Sequence, residues 1–312
     1  MSPTPSAGAR SATGSSRARE VGHLGDRTVS RVGYGAMQLE RLRGDRAAAI
    51  ALVRRAVELG VDHIDTAQFY GDGFINDVLA EALRPDGRVV VVSKIGADPD
   101  PGGPFPMRVA QRPEELRASV EDNLRSLRLD QIPVVNLRRM DGRLRIPMPD
   151  DQVVDVDDQL EAMTAMREEG LIGAIGLSNV SLDVLHRSIP AGIICVQNDY
   201  SLFARQDEDM LELCRDAGIA WVPFFPLGSA MPMLPKVTDE LAVQQAAASL
   251  GVTPSQIGLA WLLHHAPNCL IIPGTANAEH LEENLAVADL TLDAATLRGL
   301  DALADPSSGT PR

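Results

Sequence analysis

The sequence predicts an α/β protein whose single domain is a (β/α)8 barrel (a TIM barrel), on three observations. Short runs rich in Val and Ile alternate about eight times with longer segments whose apolar residues recur at helical spacing, the pattern of repeated βα units on a parallel sheet. Several runs, such as Val89-Val90-Val91-Val92, are apolar without alternation, as strands covered on both faces are. No linker-like gap separates the units and no glycine-rich phosphate turn follows the first strand, which disfavours the open doubly wound sheet. A chain of 312 residues is long enough, since α/β barrels run to ~250 residues as one unit.

The expected strands are, in order, 31–37, 61–65, 88–95, 132–138, 173–177, 193–197, 220–224 and 270–273. Between and after them helical spacing predicts helices at 46–59, 75–83, 113–127, 159–169, 182–188, 207–217, 240–250, 254–265, 278–288 and 294–303. Thr253-Pro254 and Ser181-Leu182-Asp183 are start signals, with a hydroxyl to cap the first turn and Pro or an acid just inside. Gly60 and Gly170 follow expected helix ends, where a left-handed cap is least strained for glycine. Residues 96–112, rich in proline, and 141–155 read as long loops on the strand-exit side, where barrel enzymes hold substrate. The acidic stretch from Asp150 to Asp158 lacks calcium-loop spacing and reads as a solvated approach to a helix. Residues 1–20, rich in Ser, Ala, Gly and Arg, read as a disordered tail, and 21–312 as the barrel.

Composition excludes several functions. A net charge of −14 repels nucleic acid and anionic membranes, so neither is an expected partner, and an anionic cofactor needs a local positive pocket. No stretch approaches the ~20 uninterrupted apolar residues of a membrane span, and the expected address is cytoplasmic. Cys195, Cys214 and Cys269, odd in number and each in an apolar run, read as buried thiols, not a disulfide framework or zinc site. His264-His265 ends an apolar helix; adjacent helical residues diverge by about 100°, so the pair reads as C-terminal capping and no metal is expected. Oligomeric state is not legible.

Four polar residues fall at the C-terminal ends of successive strands: Asp65 with nearby Tyr70, then Lys94, then Arg138. In a barrel those ends converge on one mouth. Lys94 and Asp65 are each flanked by apolar residues, so each needs an opposite charge and they can satisfy one another. A tyrosine placed against that ammonium gives up its phenol proton more readily, because the positive charge favours phenolate.

The segments HIDTAQFYG (63–71), VVVSKIG (90–96), GAIGLSNVS (173–181) and VQNDYS (196–201) resemble the signature blocks of the aldo-keto reductase superfamily, in its order and spacing, within a likeness that runs from about 22 to 303. The resemblance implies a soluble barrel enzyme that reduces a small-molecule aldehyde or ketone with NADPH, NADH remaining possible. Of the family's catalytic Asp, Tyr, Lys and His, the first three match Asp65, Tyr70 and Lys94. Arg138 stands where the family has histidine, and the Asn136-Leu137-Arg138 pattern resembles a bacterial subgroup that includes pyridoxal reductases. An arginine, always cationic, can orient a carbonyl or an anionic substrate but cannot relay a proton; the plainer alternative is that it pairs with an acid.

For the cofactor, the resemblance implies that Ser178, Asn179 and Gln197 hold the nicotinamide carboxamide and that Phe224 stacks on its ring, with Phe225 as the core neighbour. It places the adenosine phosphate at Gly274, Thr275 and His280, at a helix N-terminus, and the adenine against Glu283 and Asn284. Gly274 and His280 replace the Lys and Arg common in the family, which weakens the NADPH preference without reversing it. Two rival readings follow: a catalytically slow NADP(H)-sensing regulatory protein, favoured by Arg138, and a reductase of a bulky secondary metabolite, favoured by the short link between Met37 and Asp45.

Overall fold

Seven parallel strands make the central sheet of the computed structural model, which describes residues 21–83, 87–228 and 236–304. The tail expected at 1–20 lies outside the described residues. Across the sheet they run β3 (Tyr34–Gly35), β4 (His63–Asp65), β5 (Val90–Ile95), β8 (Ile132–Arg138), β9 (Ile172–Ser178), β10 (Cys195–Gln197) and β11 (Ala220–Trp221). The sheet curls until both edges meet one segment: Ile271 bridges Val32 and Cys269 bridges Trp221. Ile271 N–H donates to the Arg31 carbonyl (2.9 Å) and Leu270 N–H to that of Trp221 (2.9 Å). The eighth strand expected at 270–273 is therefore not a regular strand, because Pro267 and Pro273 bracket it and proline brings no N–H to a ladder. Pro223 likewise cuts the seventh, expected at 220–224, to Ala220–Trp221, and the first shortens because the chain turns into a 3-10 helix at Ala36–Leu42.

Ten α-helices are described: α1 (Arg46–Glu58), α2 (Phe74–Ala82), α3 (Pro113–Leu127), α4 (Val156–Glu168), α5 (Leu182–Ser188), α6 (Glu208–Asp216), α7 (Leu241–Leu250), α8 (Pro254–His265), α9 (Ala278–Ala286) and α10 (Ala294–Asp301). Where the start signal is complete, the bounds match expectation. At α8 the Thr253 hydroxyl accepts from Gln256 N–H (3.3 Å), the Gln256 side chain accepts from Thr253 N–H (3.0 Å), and Pro254 opens the helix. Helix α4 starts three residues earlier than the spacing predicts, because Asp155 caps it by accepting from Asp157 N–H (2.8 Å). Asp155 and Asp157 of the acidic stretch also hold Arg187, at 2.5 and 2.7 Å. No single helix among the described residues is long and apolar enough to cross a membrane.

The core has two shells. Helices and the outer faces of the strands share the larger one; inside the curl, Val90, Val92, Val134, Cys195, Ala220, Val222 and Leu270 pack together. A hairpin that the sequence pattern does not predict, β1 (Val21–Leu24) and β2 (Arg27–Ser30), closes the end away from the strand exits by inserting Leu24 and Val29 into this inner shell. Each buried apolar side chain contributes roughly 1.5–3 kcal/mol. A second unpredicted hairpin, β6 (Ala97–Pro99) with β7 (Met107–Val109), stands within the loop expected at 96–112. The three cysteines are free and buried, and burial pushes each thiol up to about 12.

Candidate active site

The strand exits bring Asp65, Lys94, Arg138, Ser178 and Gln197, from five neighbouring strands, to one buried mouth. Lys94 Nζ is ion-paired and hydrogen-bonded to Asp65 Oδ1 and donates to the Thr66 carbonyl (3.1 Å). Gln197 Nε2 donates to the other carboxylate oxygen, Oδ2, at 2.7 Å. Tyr70, half-buried on the turn after β4, sets its ring centroid 5.0 Å from Lys94 Nζ and meets the Phe69 ring edge-on at 5.0 Å. Burial pulls the Lys94 ammonium down, and the Asp65 carboxylate together with Tyr70 more than offsets it, so the lysine stays charged above its ordinary range.

Arg138 is buried, at 6% exposure, and its Nε has no hydrogen-bond partner. Burial lowers its guanidinium, with Tyr70 acting in the opposite direction. Among the described residues no acid pairs with it, so the alternative of a structural ion pair does not hold. The next residue provides the contrast: Arg139 binds Asp141 (2.5 Å) and Gln159.

Several residues that the sequence reading missed position these groups. Gln111 Nε2 donates to the carbonyls of Gly96 (2.6 Å) and Arg138 (2.8 Å), pinning two strand exits, and Gln159 Nε2 holds the Gln111 carbonyl (2.7 Å). Behind the sheet, Asn76 accepts from the Thr66 hydroxyl (2.8 Å) and donates to Asn123 Oδ1 (3.1 Å), which accepts from Ser93 Oγ (2.6 Å). The immediate neighbours of Asp65 and Lys94 are thereby fixed from outside. The legible signal was amide side chains on apolar helix stripes, as at Leu116, Val120, Asn123 and Leu127 of α3. One layer below the mouth, Cys195 Sγ contacts Asn136 Oδ1 (3.2 Å) over Gly176, where a Cβ would strike the Asn136 amide and come within 2.5 Å of Cys195 Sγ.

Ser178 Oγ and Gln197 Oε1 are buried without partners, open positions for a donor and an acceptor from a bound group. Asn179 is committed elsewhere: its amide donates to the Arg139 and Leu144 carbonyls (2.7 Å each) and accepts from Leu144 N–H (3.0 Å), tying the loop after β8 to β9. Phe224 is half-buried and meets Phe225 edge-on at 5.2 Å. Phe225 is not the core residue expected; it is partly exposed with φ +53°, a left-handed conformation on the strand exit. Gly274, Thr275, His280, Glu283 and Asn284 follow one another on the last turn and α9. The Thr275 carbonyl accepts from Tyr34 Oη (2.6 Å), Asn277 caps α9 by accepting from Glu279 and His280 N–H, and a Cβ at Gly274 would lie 2.6 Å from the Gly35 carbonyl. His264 and His265 both lie in the last turn of α8: His264 Nδ1 bonds the Ala260 carbonyl of the helix (2.8 Å), whereas His265 turns away, its Nε2 meeting Glu208 (2.6 Å) and its ring stacking on Trp261 (4.5 Å).

A model of the aldo/keto reductase family matches residues 31–305. The chain belongs to the aldo/keto reductase family. It is an NAD(P)H-dependent oxidoreductase. It is 42% identical to the pyridoxine 4-dehydrogenase of Escherichia coli (strain K12) over 287 residues, 90% of this chain and 96% of that one. An uncharacterized oxidoreductase of Schizosaccharomyces pombe is 34% identical, over 94% and 92% of the two chains. Among solved structures, an aldo-keto reductase from Klebsiella pneumoniae in complex with NADPH superposes with a TM-score of 0.77 at 26% identity, over 94% and 98% of the chains.

Proposed function

We propose that this aldo/keto reductase uses NADPH to reduce an aldehyde to an alcohol with Tyr70 as the proton donor, and that the substrate pair resembles the alcohol and aldehyde of its pyridoxine-dehydrogenase relative. The carrying observation is the buried Lys94 ammonium held between the Asp65 carboxylate and the Tyr70 ring. We also read the sheet as a complete (β/α)8 barrel, with 269–271 as its eighth stave.

The unpartnered Ser178 Oγ and Gln197 Oε1 fit a nicotinamide carboxamide, which has both a donor and an acceptor to offer them. Phe224 offers a flat apolar face for the ring. The turn at Gly274 and Thr275 and the exposed His280 side chain would take the adenosine phosphate, and Glu283 and Asn284 the adenine. Asn179 shapes this wall through the loop it ties down. The bound dinucleotide supplies the hydride.

Tyr70 donates its phenol proton to the carbonyl oxygen as that oxygen becomes an alcohol. Lys94 stabilises the phenolate left behind, and Asp65 keeps the ammonium in place while Gln197 holds the carboxylate's second oxygen. Tyr70→Phe is expected to lower NADPH-dependent reduction of pyridoxal and other small aldehydes by about 100-fold or more, with cofactor binding, read by fluorescence titration, nearly intact. Unaltered turnover in that variant overturns the assignment.

A further inference from the structure

We propose that Arg138 makes this enzyme selective for carbonyl compounds that carry an ionised oxygen beside the reacting carbonyl, because its guanidinium receives that oxyanion. The inference rests on the reductase reading of the same site. A guanidinium at 6% exposure with an unpartnered Nε is a buried cation without compensation, a costly arrangement unless an anion arrives.

Among the described residues none provides that anion. The carboxylate on the mouth, Asp65, is already shared between Lys94 on one oxygen and Gln197 on the other. Arg139 shows what a satisfied arginine looks like in this fold, with Asp141 and Gln159 on its fork. The cofactor's adenosine phosphate does not provide it either: the turn proposed for it, at 274–280, lies past β11, which is itself three strands along the sheet from the β8 that carries Arg138.

What remains facing Arg138 is the substrate. Its backbone is pinned by Gln111 on one side and registered against Ser178 on the other, so the guanidinium is presented from a fixed strand end toward Tyr70, where the carbonyl oxygen must sit. A planar fork next to that oxygen suits a second, charged oxygen on the neighbouring carbon. Two substrate types supply such a pair: an aromatic aldehyde with an ortho phenolate, and a 2-oxo acid.

The test compares kcat/KM within two matched pairs for the wild type, Arg138→Gln and Arg138→Lys. The first pair is 2-hydroxybenzaldehyde against 3-hydroxybenzaldehyde, at a pH that ionises both. The second is phenylglyoxylate against its methyl ester. The wild type is expected to favour the oxyanion-adjacent member of at least one pair by about tenfold or more, the range of a charge-assisted hydrogen bond, and the pair that responds identifies the source. The ratio should approach one in Arg138→Gln and fall between in Arg138→Lys, which keeps the charge and loses the fork. Thermal unfolding midpoints verify that each variant is folded, and Arg138→Met replaces Arg138→Gln if the latter is not. Wild-type ratios within about twofold in both pairs, or ratios that survive the loss of the charge, overturn the inference while the reductase reading stands. Failure of the wild type to reduce any of the four compounds sinks the reductase reading and this inference with it.

Discussion

Replacing Lys94 by methionine removes one half of a buried ion pair and strands the Asp65 carboxylate at 4% exposure. Breaking such a pair from one side costs about 3–5 kcal/mol, because the remaining charge has lost its solvent and its partner. Gln197 still donates to Oδ2 at 2.7 Å, which returns about 1–2 kcal/mol. The expected loss for Lys94→Met at pH 7 is therefore about 1–4 kcal/mol. Adding Asp65→Asn removes the second charge and should restore stability to within about 1 kcal/mol of the wild type. Urea unfolding followed by the fluorescence of Trp221 and Trp261, both buried in the core, measures all three. A single variant that costs under about 1 kcal/mol, or a double variant no better than the single one, refutes the view that the pair is held by mutual compensation.

Two further perturbations read other parts of the molecule. Gly176→Ala puts a methyl into Asn136 and Cys195 directly beneath the mouth and should lower stability by about 1–3 kcal/mol in thermal or urea unfolding; a change under about 0.5 kcal/mol would mean that this layer is not tightly packed. Glu208 is raised by its own burial, but His265 and Tyr200 bring it down from 4.5 to about 2. A lowered carboxyl contributes stability above its unfolded value, and the contribution is lost as the pH falls from about 4.5 to about 2. Glu208→Gln should flatten the acid-unfolding curve in that window, and a curve that still tracks the wild type there disproves the assignment.

The sequence was legible where local chemistry and burial agree. Helices α3, α5 and α8 have the predicted bounds because Pro or a capping hydroxyl fixes their starts. The strands with purely apolar stretches were found, and those ending near Pro223 and Pro273 were drawn too long because a ladder needs N–H groups that proline lacks. The hairpin of β1 and β2 escaped because four-residue strands with His23, Arg27 and Thr28 show too little apolar alternation. At the site, the meeting of Asp65, Tyr70 and Lys94 followed from successive strand ends. That Gln197 grips Asp65, that the Asn179 amide serves a loop, and that Arg138 has no acid are tertiary facts that no spacing encodes.

The near-contact of Gly274 with the Gly35 carbonyl makes the seam of the curled sheet a place where two main chains touch with no side chain between them. Any side chain grafted at 274 has to prise that seam apart first, whereas His280, exposed on the first turn of α9, has room for a longer side chain. A cation added to this face therefore belongs on the helix, and the seam should be left shut.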